Sequence, residues 1–469
     1  MTNANLEKQP QTQPSKEKIN KKTKTAFYQT VWRWHFYAGL IFSPFLIILA
    51  FSGGVYLFKP QIESVLYADK YYVQEQESTT LAPNLQLEKV NEAFPDGTVT
   101  SITYFDDPLR TAEFGLMENG QMSSIYVNQN NGEITGTILN EKKFTEIFKK
   151  LHSELIIGGT FANRIVELAA CWAVILLVTG LYIWWPRNRA SIWGTVLPRW
   201  RSKGRIFWRD MHAVPAFWLS AFILIFIATG LPWSGVMGEQ INRMAASTNT
   251  GYPNYAQSWG EKPESIVKTK EVADEVPWAA ENLPVPTSTM INGYVPLTLN
   301  DMTFIAETEN IKKPYTITMP QGEAGVFTIA TSHARPWNDA TLHVDQYTGS
   351  ILSDVRFNDY GIMAQGITVG IALHEGRLFG LANQVMGLIV CIGLIGLIIS
   401  SFIMWKKRKP EDKIGAPPKS KDKKITRIVF VIMLIFGVFM PLVGISIIIV
   451  FLLDRLVFAK IEPLNKWLR

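Results

Sequence analysis

Four histidines carry the chemistry of this sequence: His35, His152, His212 and His374. Neutral imidazole is an axial ligand for haem iron, and two imidazoles from neighbouring helices hold a macrocycle between them without covalent attachment. The four stand at the ends of the first four apolar runs, alternately on one side and the other of whatever those runs cross. That order sorts them into two couples, His35 with His212 and His152 with His374, and predicts two noncovalent haems b, each bound by two histidines. Read singly, a histidine at a membrane interface is an amphipathic anchor or a helix-end hydrogen bonder. Repetition in four places is what favours ligation. Trp32, Trp34, Phe36, Tyr37 and Gly39 surround His35, and Trp208, Phe217 and Trp218 surround His212, a setting suited to a flat ring. Arg33 and Arg209, with Arg205, are the cations placed for propionates of the inner haem; Arg164 and Arg377 are those of the outer one.

Helices that cross a membrane must position these groups. The apolar runs cover about 31–58, 165–185, 214–237, 385–405 and 428–453, each supplying the roughly 20 residues that a crossing needs. Basic residues near the span ends set the orientation. The tail carries Lys16, Lys18, Lys21, Lys22 and Lys24; the second connection carries Arg187, Arg189, Arg199, Arg201, Lys203, Arg205 and Arg209 before its first acid, Asp210; residues 406–427 are equally basic. The two long connections are acidic instead, with 8 basic and 14 acidic residues over 59–150 and 8 and 16 over 236–375. They face outward, and the net charge of +6 describes inner loops beside anionic lipid, giving no support to a nucleic-acid partner.

The expected organisation is therefore a basic cytoplasmic tail (1–30), a first span (31–58), an outer α+β domain (59–150), an outer histidine segment with the second span (151–187) and a basic inner loop (188–211). A third span (212–237), a second outer domain (238–370), a second histidine segment with the fourth span (371–405), a basic linker (406–427) and a fifth span with the tail (428–469) follow. The first apolar run is too long for a signal-peptide core and reads as an uncleaved anchor. Met440-Pro441 could kink the fifth span or turn it into a hairpin, leaving the side of the C-terminus open. In the first outer domain, LQLEKVNEAF reads as a helix and VTSITYF, AEFGLM and SSIYVNQ as strands, with Asn119-Gly120 and Asn131-Gly132 as hairpin turns.

The halves repeat. His35 lies 18 residues before Gly53, and His212 lies 18 before Gly230; Asn163 and Cys171 are eight apart, as are Asn383 and Cys391. Val127-Asn128-Gln129 before Gly132 parallels Val344-Asp345-Gln346 before Gly349. Duplication of a span, outer domain, span unit explains this and puts equivalent histidines at equivalent depth. The motifs Leu151-His152 to Gly158, VTGLYIWWPR at 178–187 and the WRWH and RDMH entries resemble the PepSY-associated transmembrane family over roughly 30–405. The resemblance implies a helical membrane core with about five transmembrane helices and two periplasmic PepSY-like α+β domains. It further implies a bacterial inner-membrane protein regulated by iron, of a family that includes haem-containing reductases of periplasmic ferric siderophores.

Other signals are weaker. His374-Glu375 opens like the zinc-protease HExxH, but Leu378 occupies the second histidine position. His333 and His343, near Asp339 and Asp345, could hold a metal, or be ordinary strand and loop residues. Glu167 inside the second span could carry protons, balance haem charge, or simply snorkel. Cys171 and Cys391, the two cysteines, read as small packing residues; neither outer domain has a disulfide, and no CxxCH attachment signature exists. No nucleotide fingerprint occurs, so electrons must come from an external donor, a membrane quinol or a cytoplasmic reductase. The expected activity is a diheme b-type ferric reductase acting on ferric siderophore or a similar ferric chelate in iron uptake. The alternative is a membrane-anchored PepSY protein that binds or restrains a periplasmic peptidase or envelope partner; a transporter lacks the midplane charges it would need.

Overall fold

The computed structural model describes residues 16–74, 80–186, 191–251, 263, 265–273, 276–290, 293, 295–458 and 460–468, without the side chains of 16–22 and 464–466. Arg187, Arg189 and the side chains of Lys16, Lys18, Lys21 and Lys22, counted above for orientation, lie outside the described residues. Among the described residues, five helices are long and apolar enough to cross a membrane: Thr23–Tyr56, Gly159–Trp184, Gly204–Trp233, Leu381–Arg408 and Pro441–Phe458. The first and third begin ahead of their apolar runs, at Lys16 in α1 (Lys16–Tyr56) and at Gly204 in the third crossing helix. Lys and Arg are good helix formers, so the backbone helix outlasts the hydropathy that announces it.

The chain divides into two compact units, Met1–Ile47, Leu168–Leu224 and Gly393–Arg469 in the first, Ile48–Glu167 and Ile225–Ile392 in the second. In the second unit, α2 (Pro83–Ala93) precedes β1 (Thr98–Tyr104), β2 (Ala112–Glu118), β3 (Gln121–Val127) and β4 (Ile134–Leu139). Asn119 and Gly120 both hold φ near +50 to +76°, the left-handed pair that a tight β2–β3 hairpin requires. Helix α3 (Phe144–Glu154) then carries His152 and ends in a left-handed run at Leu155, Ile156, Gly158 and Gly159 before α4 (Gly159–Trp184) begins. Beyond α5 (Gly204–Gly230) and α6 (Val236–Ser247), α7 (Leu299–Thr308) and β5 (Tyr315–Thr318), β6 (Val326–Thr331), β7 (Ala340–Asp345) and β8 (Ile351–Arg356) repeat the helix-and-meander pattern. Helix α8 (Ile362–His374) ends on the fourth histidine, and α9 (Leu381–Arg408) follows.

The two outer domains expected as separate bodies share one sheet. Its order is β4-β3-β2-β1-β5-β6-β7-β8, all antiparallel, and β1 joins β5 through Ser101–Thr318, Ile102–Ile317, Thr103–Thr316 and Tyr104–Tyr315. Each four-stranded meander alone would leave β1 or β5 as an open edge, and joining the edges satisfies both rows of backbone groups. Helices α2 and α7 meet on this sheet: Leu299 N–H donates to Asn84 Oδ1 (2.9 Å), and Asn84 N–H donates to Asn300 Oδ1 (3.0 Å). One core results, with Val90, Ile102, Phe114 and Ile125 packed against Met302, Ile317, Phe327 and Leu342.

In the first unit the last apolar run is two helices, α10 (Lys423–Phe439) and α11 (Pro441–Leu453), doubled back at Met440. Pro441 lacks the N–H that a continuing helix needs, and Gly437 and Gly444 let the two backbones touch. Phe430 and Phe451 meet across the hairpin (5.4 Å), and Trp172 Nε1 donates to Ser446 Oγ (3.0 Å). The chain returns through α12 (Glu462–Leu468) to the middle of α1, where Tyr37 Oη donates to the Leu468 carbonyl (2.6 Å). The single fifth span is thus a hairpin, and Leu468 lies beside the middle of α1.

Candidate functional site

Each of the four histidines is seated on a neighbouring helix in the same way. In the second unit, His152 Nδ1 donates to the Leu49 carbonyl of α1 (3.0 Å) and His374 Nδ1 to the Phe226 carbonyl of α5 (2.9 Å). In the first unit, His212 Nδ1 donates to the Leu397 carbonyl of α9 (2.9 Å), and His35 Nδ1 lies 2.9 Å from Thr179 Oγ1 of α4 and bonds the Leu176 carbonyl. Thr179 gives its own hydrogen to Ile175 (2.6 Å), so it accepts from the ring. A carbonyl accepts only from N–H, which places the proton on Nδ1 and leaves the lone pair on Nε2. That is the tautomer a metal ligand needs, with its outer nitrogen held by a backbone oxygen.

The seats share a local sequence. Three residues beyond the accepting carbonyl stands a hydroxyl, Ser52, Thr179, Thr229 or Ser400, each bonded back into its own helix. One residue further stands a small residue, Gly53, Gly180, Gly230 or Ser401. The i and i+4 positions of a helix share a face, so the ring lies over the small residue while its Nδ1 reaches the carbonyl below. A Cβ on Gly53 or Gly230 would stand 3.0 Å from Cε1 of His152 or His374, and one on Gly180 3.2 Å from Cε1 of His35.

His152 and His374 face one another with ring centroids 6.2 Å apart and planes inclined at 66°. An imidazole–metal bond is about 2.0–2.1 Å, and the ring centroid lies about 1.1 Å behind its nitrogen, so one iron between two imidazoles separates centroids by about 6 Å. Phe226 and Trp233 flank His374 at 5.4 and 6.5 Å. Burial, followed by the facing His374, pushes His152 down to about 4, and burial lowers His374 as well. Both rings are therefore neutral at pH 7, the form that ligates. His35 and His212 are likewise electrostatic neighbours in the first unit. Among the described residues no group of three or more His, Cys, Asp or Glu side chains gathers around a metal-sized space.

The four arginines have protein partners of their own. Arg33 donates to the carbonyl of Pro417 (2.6 Å), to Tyr37 Oη (2.9 Å) and to Leu468 (3.4 Å). Arg209 and Arg199 both hold the buried Asp210, at 2.6 and 2.8 Å. Arg164 meets Asn163 Oδ1 (3.1 Å) and Glu167 (3.7 Å). Arg377 pairs with Glu375 (2.5 Å) and donates to the His333 carbonyl and Ser332 Oγ.

Several side signals resolve into structure. The Glu167 carboxylate accepts from the backbone N–H of Val236 (2.9 Å) and Met237 (2.8 Å), closing the N-terminus of α6. His343 is buried between Thr328 Oγ1 (3.0 Å) and Thr269 Oγ1 (3.4 Å), and His333 Nδ1 accepts from Arg335 N–H (2.9 Å). Cys171 is buried and Cys391 half-buried. Asn163 and Asn383 donate to the carbonyls of Ser153 (3.4 Å) and Leu373 (3.0 Å), bracing the turns that follow His152 and His374.

Among known protein families, the model of the PepSY-associated TM region matches residues 32–408. No curated protein matches the chain.

Proposed function

The chain belongs to the PepSY-associated TM family and is a multi-pass membrane protein, and we propose that it carries electrons through the bilayer by way of two haems b. His35 and His212 would hold one, His152 and His374 the other. The matching seats in the two halves support duplication of a span, sheet, span unit. In this reading the N-terminus, the basic linker and the tail lie in the cytoplasm of a bacterial inner membrane, and the sheet domain lies in the periplasm. A quinol or a cytoplasmic reductase supplies electrons, and a ferric siderophore or comparable ferric chelate accepts them in iron uptake.

The observation that carries the reading is the facing pair of Nδ1-tethered imidazoles, 6.2 Å apart in the second unit. The haem, when bound, supplies a reversible one-electron couple and an extended conjugated ring. The chain supplies orientation. Each backbone carbonyl fixes one tautomer and ring angle, and each glycine or serine seat lets the ring approach the neighbouring helix closely. A tethering hydrogen bond of this kind contributes about 1 kcal/mol, and outer partners of metal-bound histidines change affinity about 10–100-fold. Short backbone-tethered side chains also keep the geometry through a change of redox state, which favours fast transfer.

Protein purified from haem-replete cells should hold noncovalent haem near two per chain with a low-spin reduced spectrum. His35→Ala or His212→Ala should remove one haem, and His152→Ala or His374→Ala the other. A colourless preparation from such cells overturns the proposal.

A further inference from the structure

Behind β7 the sheet domain buries a row of polar groups. Ala340, Leu342 and Val344 belong to the core, so Thr341, His343 and Asp345 point to the opposite face, and Asp339, one residue before the strand, continues the row by alternation. The β7–β8 ladder pairs Ser353 with His343 and Val355 with Thr341, bringing both to that face. Val355 packs there with Trp278, Leu283 and Tyr360, so the layer is closed from bulk solvent. Within it Asp339 Oδ2, Thr341 Oγ1, Ser353 Oγ and Tyr360 Oη have no hydrogen-bond partner among the described residues. Isolated atoms of this kind cost about 1–3 kcal/mol each. Four of eight such atoms gathered in one layer mark a polar space suited to bridging water.

Asp339 stands at one end of the row. Its Oδ1 accepts from His333 N–H (2.7 Å), and the His333 carbonyl accepts from Arg377, which also pairs with Glu375, the residue after His374. The charged and titratable groups facing Asp339 are Arg377, Glu375 and Tyr360. Burial pushes its carboxyl up to about 7, against the pull of the His333 N–H and Arg377 and with the help of Glu375.

Resting on the haem reading above, we propose that Asp339 takes up a proton when the site of His152 and His374 is reduced, and releases it on reoxidation. One electron arrives from the quinol or cytoplasmic donor, one proton arrives from water, and the Asp339 carboxylate becomes the acid. An O–H bond of hydronium breaks as the O–H bond of the Asp339 acid forms, and water is left behind. An added negative charge nearby raises the proton affinity of a buried carboxyl, on the order of tenfold at the effective dielectric of a protein interior. Thr341, Ser353 and Tyr360 supply the hydroxyls along which water can pass the proton.

The test uses the full chain in detergent or nanodiscs. Infrared titration of the protein should show an acid carbonyl band that disappears as pH rises through about 7 and is missing in Asp339→Asn. In redox titrations the potential of the haem lost in His374→Ala should fall as pH rises above about 7, and lie flat in Asp339→Asn, with Asp339→Glu restoring the slope. A slope that survives Asp339→Asn, a flat potential in the native protein, or an infrared band unchanged by the substitution each overturns the inference while haem remains bound. Loss of the haem itself instead overturns the reading on which the inference rests.

Discussion

The seats make a prediction whose sign runs against ordinary helix behaviour. Alanine replacing glycine inside a helix stabilises it by about 1 kcal/mol. At Gly53 and Gly230 the new methyl carbon would stand 3.0 Å from Cε1 of the histidine above, several tenths of an ångström inside normal carbon–carbon contact. The ring must lift, and the Nδ1 bonds to Leu49 (3.0 Å) or Phe226 (2.9 Å) stretch with it. Overpacking of this size costs about 1–3 kcal/mol, and a weakened hydrogen bond about 0.5–1.5 kcal/mol. Together they outweigh the propensity gain. Haem affinity at the His152 and His374 site should drop about 10–100-fold in Gly53→Ala or Gly230→Ala, while the His35 and His212 site keeps its haem. Gly396 lies in α9 with nothing within 4 Å of a built Cβ, so Gly396→Ala is the matched control and should be neutral or stabilising. Pigment-to-protein ratio, reduced spectra and haem transfer to an apo-globin acceptor measure the effect. Full retention of haem by both seat variants, at the control's rate of transfer, would refute the tethered-ligand argument.

Glu167→Ala removes the acceptor for two N–H groups of α6 and should lower thermal stability by about 1–2 kcal/mol, with Glu167→Gln recovering part of it and the haem spectrum unmoved. Arg33→Ala frees the linker at Pro417 and the tail at Leu468; limited proteolysis should cut 409–422 faster, and unchanged cutting would count against the latch. His343 is fully buried and pushed down to about 4 by that burial. The unfolded chain binds a proton at about 6.5 and the folded one does not until about 4, so stability is full above about 6.5 and falls as pH drops towards 4. The loss is on the order of 3 kcal/mol, and His343→Gln should remove that part of the acid slope in melting curves taken from pH 7 to 4.

Four crossing helices were legible because uninterrupted apolar runs can do little else. The fifth run had the same composition, and only Met440-Pro441 hinted at the hairpin. Whether Pro441 kinks or reverses a helix depends on what lies opposite, and here Gly437 and Gly444 allow the backbones to meet, a contact invisible to hydropathy. The sheet divides similarly. Asn119-Gly120 identified its own hairpin, because turn chemistry is local. Pairing of β1 with β5 joins Ser101 to Thr318, and nothing near either strand specifies so distant a partner beyond the shared need to close an edge.

At the histidines, spacing revealed which residues belong together but not what seats them. The accepting carbonyls of Leu49, Leu176, Phe226 and Leu397 leave no trace in a sequence, whereas the dipeptides Ser52-Gly53, Thr179-Gly180, Thr229-Gly230 and Ser400-Ser401 do. Reading those pairs as contact points would have predicted the tethers. The arginines show how helical angle and nearby charge set a side chain's partners. Two residues along a helix turn the side chain by about 200°, so Arg33 faces away from His35 and reaches Leu468 instead. Arg209, three residues before His212, turns only about 60° from it, yet the buried Asp210 takes its guanidinium at 2.6 Å. Proximity in sequence therefore fixes neither a side chain's direction nor its partner; the helical angle and the nearest buried counter-charge do.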